Sequence, residues 1–282
     1  MRTTDELEWD LTVDFVCVGA GAGGLAAAIV AVDAGASVFV ANFARPLART
    51  PSGGLGHALE LEVADDETSA YLAALVEDLD VPVATDDGVP VLAAGELVPV
   101  STKKPGKRDQ IPPFFGARLG DWAAECVASP LGIVYSRVIT DATTPKRSRS
   151  GAMVEVARIG SIELDPDAPA PALDQWLSAV AHARGVDVEH QSRLRRLVFE
   201  GGQVVGAVFD TPTATFAVEA RHGVMLACDT DGAQLAPQVA ASVREPTNAE
   251  VCLVREPLSR FSRIELHVTE SSVQSFVSAP GR

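Results

Sequence analysis

The sequence predicts an α/β fold, and three features of its patterning carry that reading. An apolar strand, a glycine loop and an alanine-rich helix follow one another near the N-terminus. A helix, a short strand and a hairpin come between residues 173 and 209. With 282 residues and 47% hydrophobic content, the chain can bury a sizeable core.

The elements justify themselves in order. Residues 13–18, Val-Asp-Phe-Val-Cys-Val, make a buried strand, and 19–24 a glycine loop. Residues 25–34 make an apolar helix stopped by Gly35, and 37–40 a second strand. Together they have the length of a βαβ unit, about 30 residues. Residues 65–79 read as an amphipathic helix with Tyr71, Leu72, Leu75, Val76 and Leu79 on one side. Residues 81–92 hold short strands broken by Asp86-Asp87-Gly88. A basic, proline-bearing loop covers 101–113, and a helix covers 117–128. Residues 140–150, polar and carrying Pro145, read as a surface loop. A helix at 173–183 ends at Gly185 and leads to a strand at 186–189. Residues 194–209 form a hairpin turning at Gly201-Gly202. Residues 215–219 pair with it, and 223–228 form another buried strand. Two or three strands follow between 250 and 277.

Charge and composition narrow the function. Lys and Arg total 23 against 38 Asp and Glu, a net charge of −15. That excess disfavours nucleic acid and anionic membranes as partners. Basic residues still cluster at Lys103, Lys104, Lys107 and Arg108, and again at Lys146, Arg147 and Arg149. The first cluster reads as a solvated face or as a steering patch for an anionic substrate. Cys17, Cys126, Cys228 and Cys252 form no CxxC pair, and the five histidines show no ligand spacing, so no metal is expected. No apolar run reaches membrane-spanning length, and residues 1–10 lack a signal's basic and apolar regions. A cytoplasmic protein is the expectation.

The loop reads Gly19-Ala20-Gly21-Ala22-Gly23-Gly24, and Gly19, Gly21 and Gly24 fit GxGxxG. Gly19 permits the tight turn, Gly21 the approach of a pyrophosphate, and Gly24 close packing of helix on strand. The free amides opening the helix, through Ala22 and Gly23, then bind the phosphates. The second strand of such a unit usually ends in an acid that binds the adenosine ribose. Here Asn42 stands in that place, with Phe43 and Arg45 after it. Its amide oxygen accepts from a hydroxyl without the help of charge. An arginine near a missing acid is also how a 2′-phosphate is accommodated, which keeps NADP(H) open as an alternative cofactor.

Residues 13–40 resemble the start of a flavoprotein family that contains fumarate reductase, succinate dehydrogenase flavoprotein and 3-ketosteroid Δ1-dehydrogenase. A second likeness is Thr50-Pro51-Ser52-Gly53-Gly54, where Thr50, Ser52, Gly53 and Gly54 match a segment lying along the cofactor. A third runs from 172 to 228, a helix, an Arg-Gly-Val strand, a hairpin and an apolar strand. The resemblance implies an adenine-side contact at 193–197, around Leu194, and a turn over the cofactor at Ala227 and Cys228. It implies a glutathione-reductase-like, Rossmann-type three-layer FAD/NAD(P)-binding domain built from 1–62 and 150–235. Residues 63–149 become a small inserted α+β segment in place of the substrate cap, and 236–282 divergent C-terminal strands.

The departures are specific. The family's ribose acid is Asn42, and its glycine pair after the last strand is Cys228-Asp229. The C-terminal glycine-rich segment that seats the flavin ring is not recognisable. The only tyrosines, Tyr71 and Tyr135, fall outside the matching motifs. His57 and Tyr135 are the catalytic candidates, each weighed against a purely structural role. Arg118 and Trp122, at i and i+4, read as structural. The expected function is a dehydrogenase or reductase subunit that binds FAD non-covalently. Its substrate would be a hydrophobic ketone or enoyl compound, a steroid among the candidates. A partner subunit or second copy would complete the active site. The alternatives are a non-catalytic subunit without cofactor that stabilises a catalytic partner, and an NADP(H)-binding protein.

Overall fold

A computed structural model describes residues 7–42, 63, 65–80, 91–93, 97–99, 115–129, 133–135, 143–148, 152–167, 172–227 and 243–269. In chain order the elements are β1 (Leu11–Val18), α1 (Ala22–Asp33), β2 (Val38–Asn42), α2 (Asp66–Ala74), β3 (Val91–Ala93), β4 (Leu97–Pro99), α3 (Phe115–Ala128), β5 (Ile133–Tyr135), β6 (Thr144–Ser148), β7 (Met153–Leu164), α4 (Leu173–Ala183), β8 (Val188–His190), β9 (Arg193–Glu200), β10 (Gln203–Asp210), β11 (Thr215–Ala227), β12 (Thr247–Arg255) and β13 (Phe261–Val268).

β1 pairs in parallel with both β2 and β11, and β2 in parallel with β8. This is the parallel heart of a nucleotide-binding α/β domain, with α1 crossing over between β1 and β2. β11 turns antiparallel to β10, and β10 to β9, forming a three-stranded meander. The hairpin turns at Gly201 and Gly202, with φ of 55° and 76°, as the diglycine predicts. On the far side of β11, β5 leads to β13, β12, β7, β6 and β4 in one continuous sheet.

Two apolar clusters sandwich this sheet. One joins α1 and α4 to Phe15, Cys17, Val40, Val251, Leu253, Ile264 and Leu266. The other sets Leu72, Trp122 and Cys126 against Val16, Val18, Phe209, Cys252 and Phe261, together with the meander. The alternation of cluster membership along β1 and β12 is the two-residue period of a strand buried on both faces. The arrangement is the three-layer one the sequence predicts.

Two local readings are corrected. Residues 144–148 are not a surface loop but strand β6, paired on one side with β7 and on the other with β4. Residues 215–219 and 223–227 are not separate strands, and Cys228 lies outside the described residues. The two runs belong to one, β11, which absorbs the irregularity by a register shift against β1 between Val13 and Phe15.

Candidate cofactor site

The glycine loop joins β1 to α1 at the carboxyl end of the parallel strands. Gly19 has φ of 104°, and a Cβ there would lie 2.6 Å from the carbonyl oxygen of Ala227. A Cβ on Gly24 would lie 2.0 Å from the carbonyl oxygen of Gly19 and 3.2 Å from the Ala227 Cβ. The first glycine makes the turn and the third lets the helix settle onto loop and strand, as the motif demands. Gly19 N–H donates to the Ala41 carbonyl at 2.9 Å, pinning the loop against the end of β2. The single Cys17 S–H is shared between the carbonyls of Gly19 at 3.4 Å and Gly24 at 3.6 Å.

α1 opens without a side-chain cap at Gly21 and without an acid in its first turn. Its internal ladder starts with Leu25 N–H to the Gly21 carbonyl at 2.9 Å. The amides of Ala22, Gly23 and Gly24 therefore have no acceptor within the helix. Positive dipole end, glycine backbone and absence of competing acid together fit a pyrophosphate.

Asn42 ends β2, the position at which such a unit usually carries its acid. Its Nδ2 lies 3.4 Å from Nδ1 of His190 on β8, a residue the sequence reading passed over. Leu194 is buried in β9, and Ala227, also buried, ends β11 against Gly19. The backbone of Tyr135 pairs with Leu226 and Phe261. Phe43, Arg45, Thr50, Ser52, Gly53, Gly54, His57 and Cys228 lie outside the described residues. Arg118 and Trp122 do not stack on each other. Arg118 ion-pairs with Glu256 at 2.7 Å, and Trp122 Nε1–H donates to the Phe261 carbonyl at 3.0 Å.

The sequence reading also missed a buried polar row on β13. Arg263 pairs with Glu265 at 2.8 Å and with Glu125 at 3.0 Å, and its guanidinium lies 4.7 Å over the Trp122 ring. His267 Nε2 lies 3.0 Å from Glu265, both side chains being 2% exposed. Burial pushes the Glu265 carboxyl up, but the His267 hydrogen bond and the Arg263 charge outweigh it and hold the carboxyl low. His267 Nδ1 is buried with no partner. Ala227, the last residue of β11, shares a row with Val134 and Ser262. Glu265 and His267 therefore lie past the carboxyl end of β11, by about 10 and 17 Å at 3.3 Å per residue. Ligands of such sheets bind at that end. The signal was legible as Arg-x-Glu-x-His on alternate positions of an apolar strand.

Fold and loop define a dinucleotide-binding α/β protein. The sequence model of the FAD binding domain family matches residues 98–254, more than half of the 282. The chain belongs to that family, and FAD is the cofactor that membership assigns. The match starts beyond the glycine loop, so loop geometry and family match are separate observations. Among solved structures, the chain is similar to 3-ketosteroid-Δ4-(5α)-dehydrogenase from Rhodococcus jostii RHA1, at 24% identity and TM-score 0.34, covering 80% of this chain and 47% of that one. It is similar to 3-ketosteroid Δ1-dehydrogenase from Sterolibacterium denitrificans, at 14% identity and TM-score 0.32, covering 76% and 47%. A flavocytochrome c3 fumarate reductase matches at 17% identity and TM-score 0.31, covering 75% and 33%. At these scores none of them assigns chemistry to this chain, which spans less than half the length of each. Among curated proteins, none matches the sequence. No described helix is long and apolar enough to cross a membrane.

Proposed function

We propose that the protein is a flavin-dependent dehydrogenase or reductase subunit acting on a hydrophobic ketone or enoyl substrate, with a steroid among the candidates. The observation that carries the reading is the uncapped, acid-free start of α1 over a glycine turn, in a chain of the FAD binding family. The backbone of Gly21, Ala22, Gly23 and Gly24 would hold the pyrophosphate, and Asn42 would face the adenosine ribose. Bound FAD supplies hydride-accepting chemistry. Removing hydride from a carbon beside an acidic C–H needs a group to take the proton. His267 Nδ1 suits that task, because Glu265 accepts from Nε2–H and leaves Nδ1 with its lone pair.

The reading includes a partner subunit or second copy that completes the site. What supports it is the departure at the flavin end, where Cys228-Asp229 stands in place of the family's glycine pair. The test is an absorbance spectrum of the purified protein, alone and co-expressed with candidate partners. Flavin bands in the chain alone support a self-sufficient FAD site, and bands only on co-expression support the split site. No flavin in either preparation overturns the reading.

A further inference from the structure

The end of β2 carries two residues where a single acid is usual. Asn42 and His190 are direct register partners in the parallel β2–β8 pair. Ser192 N–H donates to the Asn42 carbonyl at 3.2 Å, and Gln191, at φ of 64°, turns the chain to make that bond. His190 is thus fixed beside Asn42, on the exposed rim next to the loop that Gly19 ties to Ala41. Asn42 Nδ2, a donor only, faces His190 Nδ1. Nδ1 must then accept, so the ring proton sits on Nε2. What the pair has left is one acceptor, Asn42 Oδ1, and two donors, the second Asn42 Nδ2–H and His190 Nε2–H.

We propose that His190 shares recognition of the adenosine ribose with Asn42, the two replacing a carboxylate by a neutral acceptor–donor pair matched to a vicinal diol. A carboxylate accepts from both hydroxyls. This pair accepts from one and donates to the other, which a diol satisfies because each hydroxyl does either. A 2′-phosphate only accepts, and leaves Asn42 Oδ1 facing a like acceptor. The same chemistry therefore selects a free ribose over a 2′-phosphorylated one. The inference rests on the reading of the loop as an FAD pyrophosphate site.

The experiment titrates the full chain with FAD by flavin fluorescence, and with ADP, 2′-deoxy-ADP, 3′-deoxy-ADP and adenosine 2′,5′-bisphosphate by calorimetry, at pH 8. Wild type is expected to bind ADP about tenfold tighter than at least one deoxy analogue, the worth of one hydrogen bond. It should also bind ADP tighter than the bisphosphate. His190→Ala should erase the deoxy discrimination and weaken FAD about tenfold. His190→Gln, which keeps an acceptor and a donor, should restore part of both. Asn42→Glu should make the His190→Ala change neutral. FAD binding that is equal in wild type and His190→Ala, with the deoxy discrimination intact, overturns the proposal and leaves the FAD reading standing. Absence of FAD and ADP binding in the wild type overturns both.

Discussion

Replacing Gly24 with alanine separates the loop's two tasks, packing and binding. The new Cβ would lie 2.0 Å from the Gly19 carbonyl oxygen, while real Cβ atoms keep at least 3.0 Å. Helix and loop must part by about 1 Å. The neighbours are the Gly19 carbonyl and the Ala227 Cβ, both rigid, and α1 is buried throughout Ala22–Ala31, so no flexible side chain can give way. Overpacking of this kind costs about 3 kcal/mol at the top of its range. Alanine returns up to about 1 kcal/mol as the better helix former. The net loss is about 2 kcal/mol, or roughly 3–4 °C in Tm for a chain of this size. Gly185→Ala is the matched control. It has φ of +74° and nothing within 4 Å of its Cβ, so it costs about 1–2 kcal/mol in backbone strain alone. The two variants should unfold at similar urea concentrations. Only Gly24→Ala should lose FAD, by tenfold or more, because its shift carries the amides of Ala22–Gly24 off the phosphates. If Gly24→Ala binds flavin as tightly as Gly185→Ala does, the cradle is wrongly placed.

Three further outcomes are expected. Glu265→Leu leaves both nitrogens of buried His267 without partners and should cost about 3 kcal/mol or more in urea unfolding, whereas Glu265→Leu with His267→Leu should cost less, because His267 is then no longer stranded and Arg263 keeps Glu125. The Asp14 carboxyl is held at about 2, first by the Ser37 backbone amide, then by the Ser37 hydroxyl and Arg221. Its depressed pKa means a contribution present above pH 4 and lost as pH falls through 2. After allowance for solvent screening, Asp14→Asn should lower stability by about 1 kcal/mol at pH 7, a difference that vanishes near pH 2 in acid titrations followed by circular dichroism. Burial pushes the Cys252 thiol up to about 12 and the Cys126 thiol well above its usual value. A thiol-specific reagent at pH 8 should therefore label both only after denaturant is added.

The parts of the fold written by local rules were legible in advance. Gly19, Gly21 and Gly24 announced the loop, Gly35 and Gly185 the helix ends, and Gly201-Gly202 the hairpin turn. β6 was illegible because Thr-Pro-Lys-Arg-Ser holds a single strand former beside a proline and two charges; its pairing with β7 and β4 makes it a strand. β11 was split in the reading at Ala220-Arg221-His222, where two polar residues, both exposed, interrupt the apolar run. The Asn42–His190 pair joins residues 148 apart in the chain, and only the β2–β8 register brings them together. The Arg263–Glu265–His267 row was hidden for the opposite reason. Alternate charged residues usually mark a solvent face, and here that face is covered by α3.

Cys17 gives the phosphate loop an unusual fastener. Its sulfur reaches two carbonyls at 3.4 and 3.6 Å, spans suited to a thiol and too long for a hydroxyl. Serine here would leave a gap under the loop, alanine would remove the thiol contact with both carbonyls, and valine would crowd them with methyl groups. Size and weak polarity, rather than redox chemistry, are what this position asks of its residue. The chain thus contains a cysteine whose value lies in the length of its hydrogen bonds.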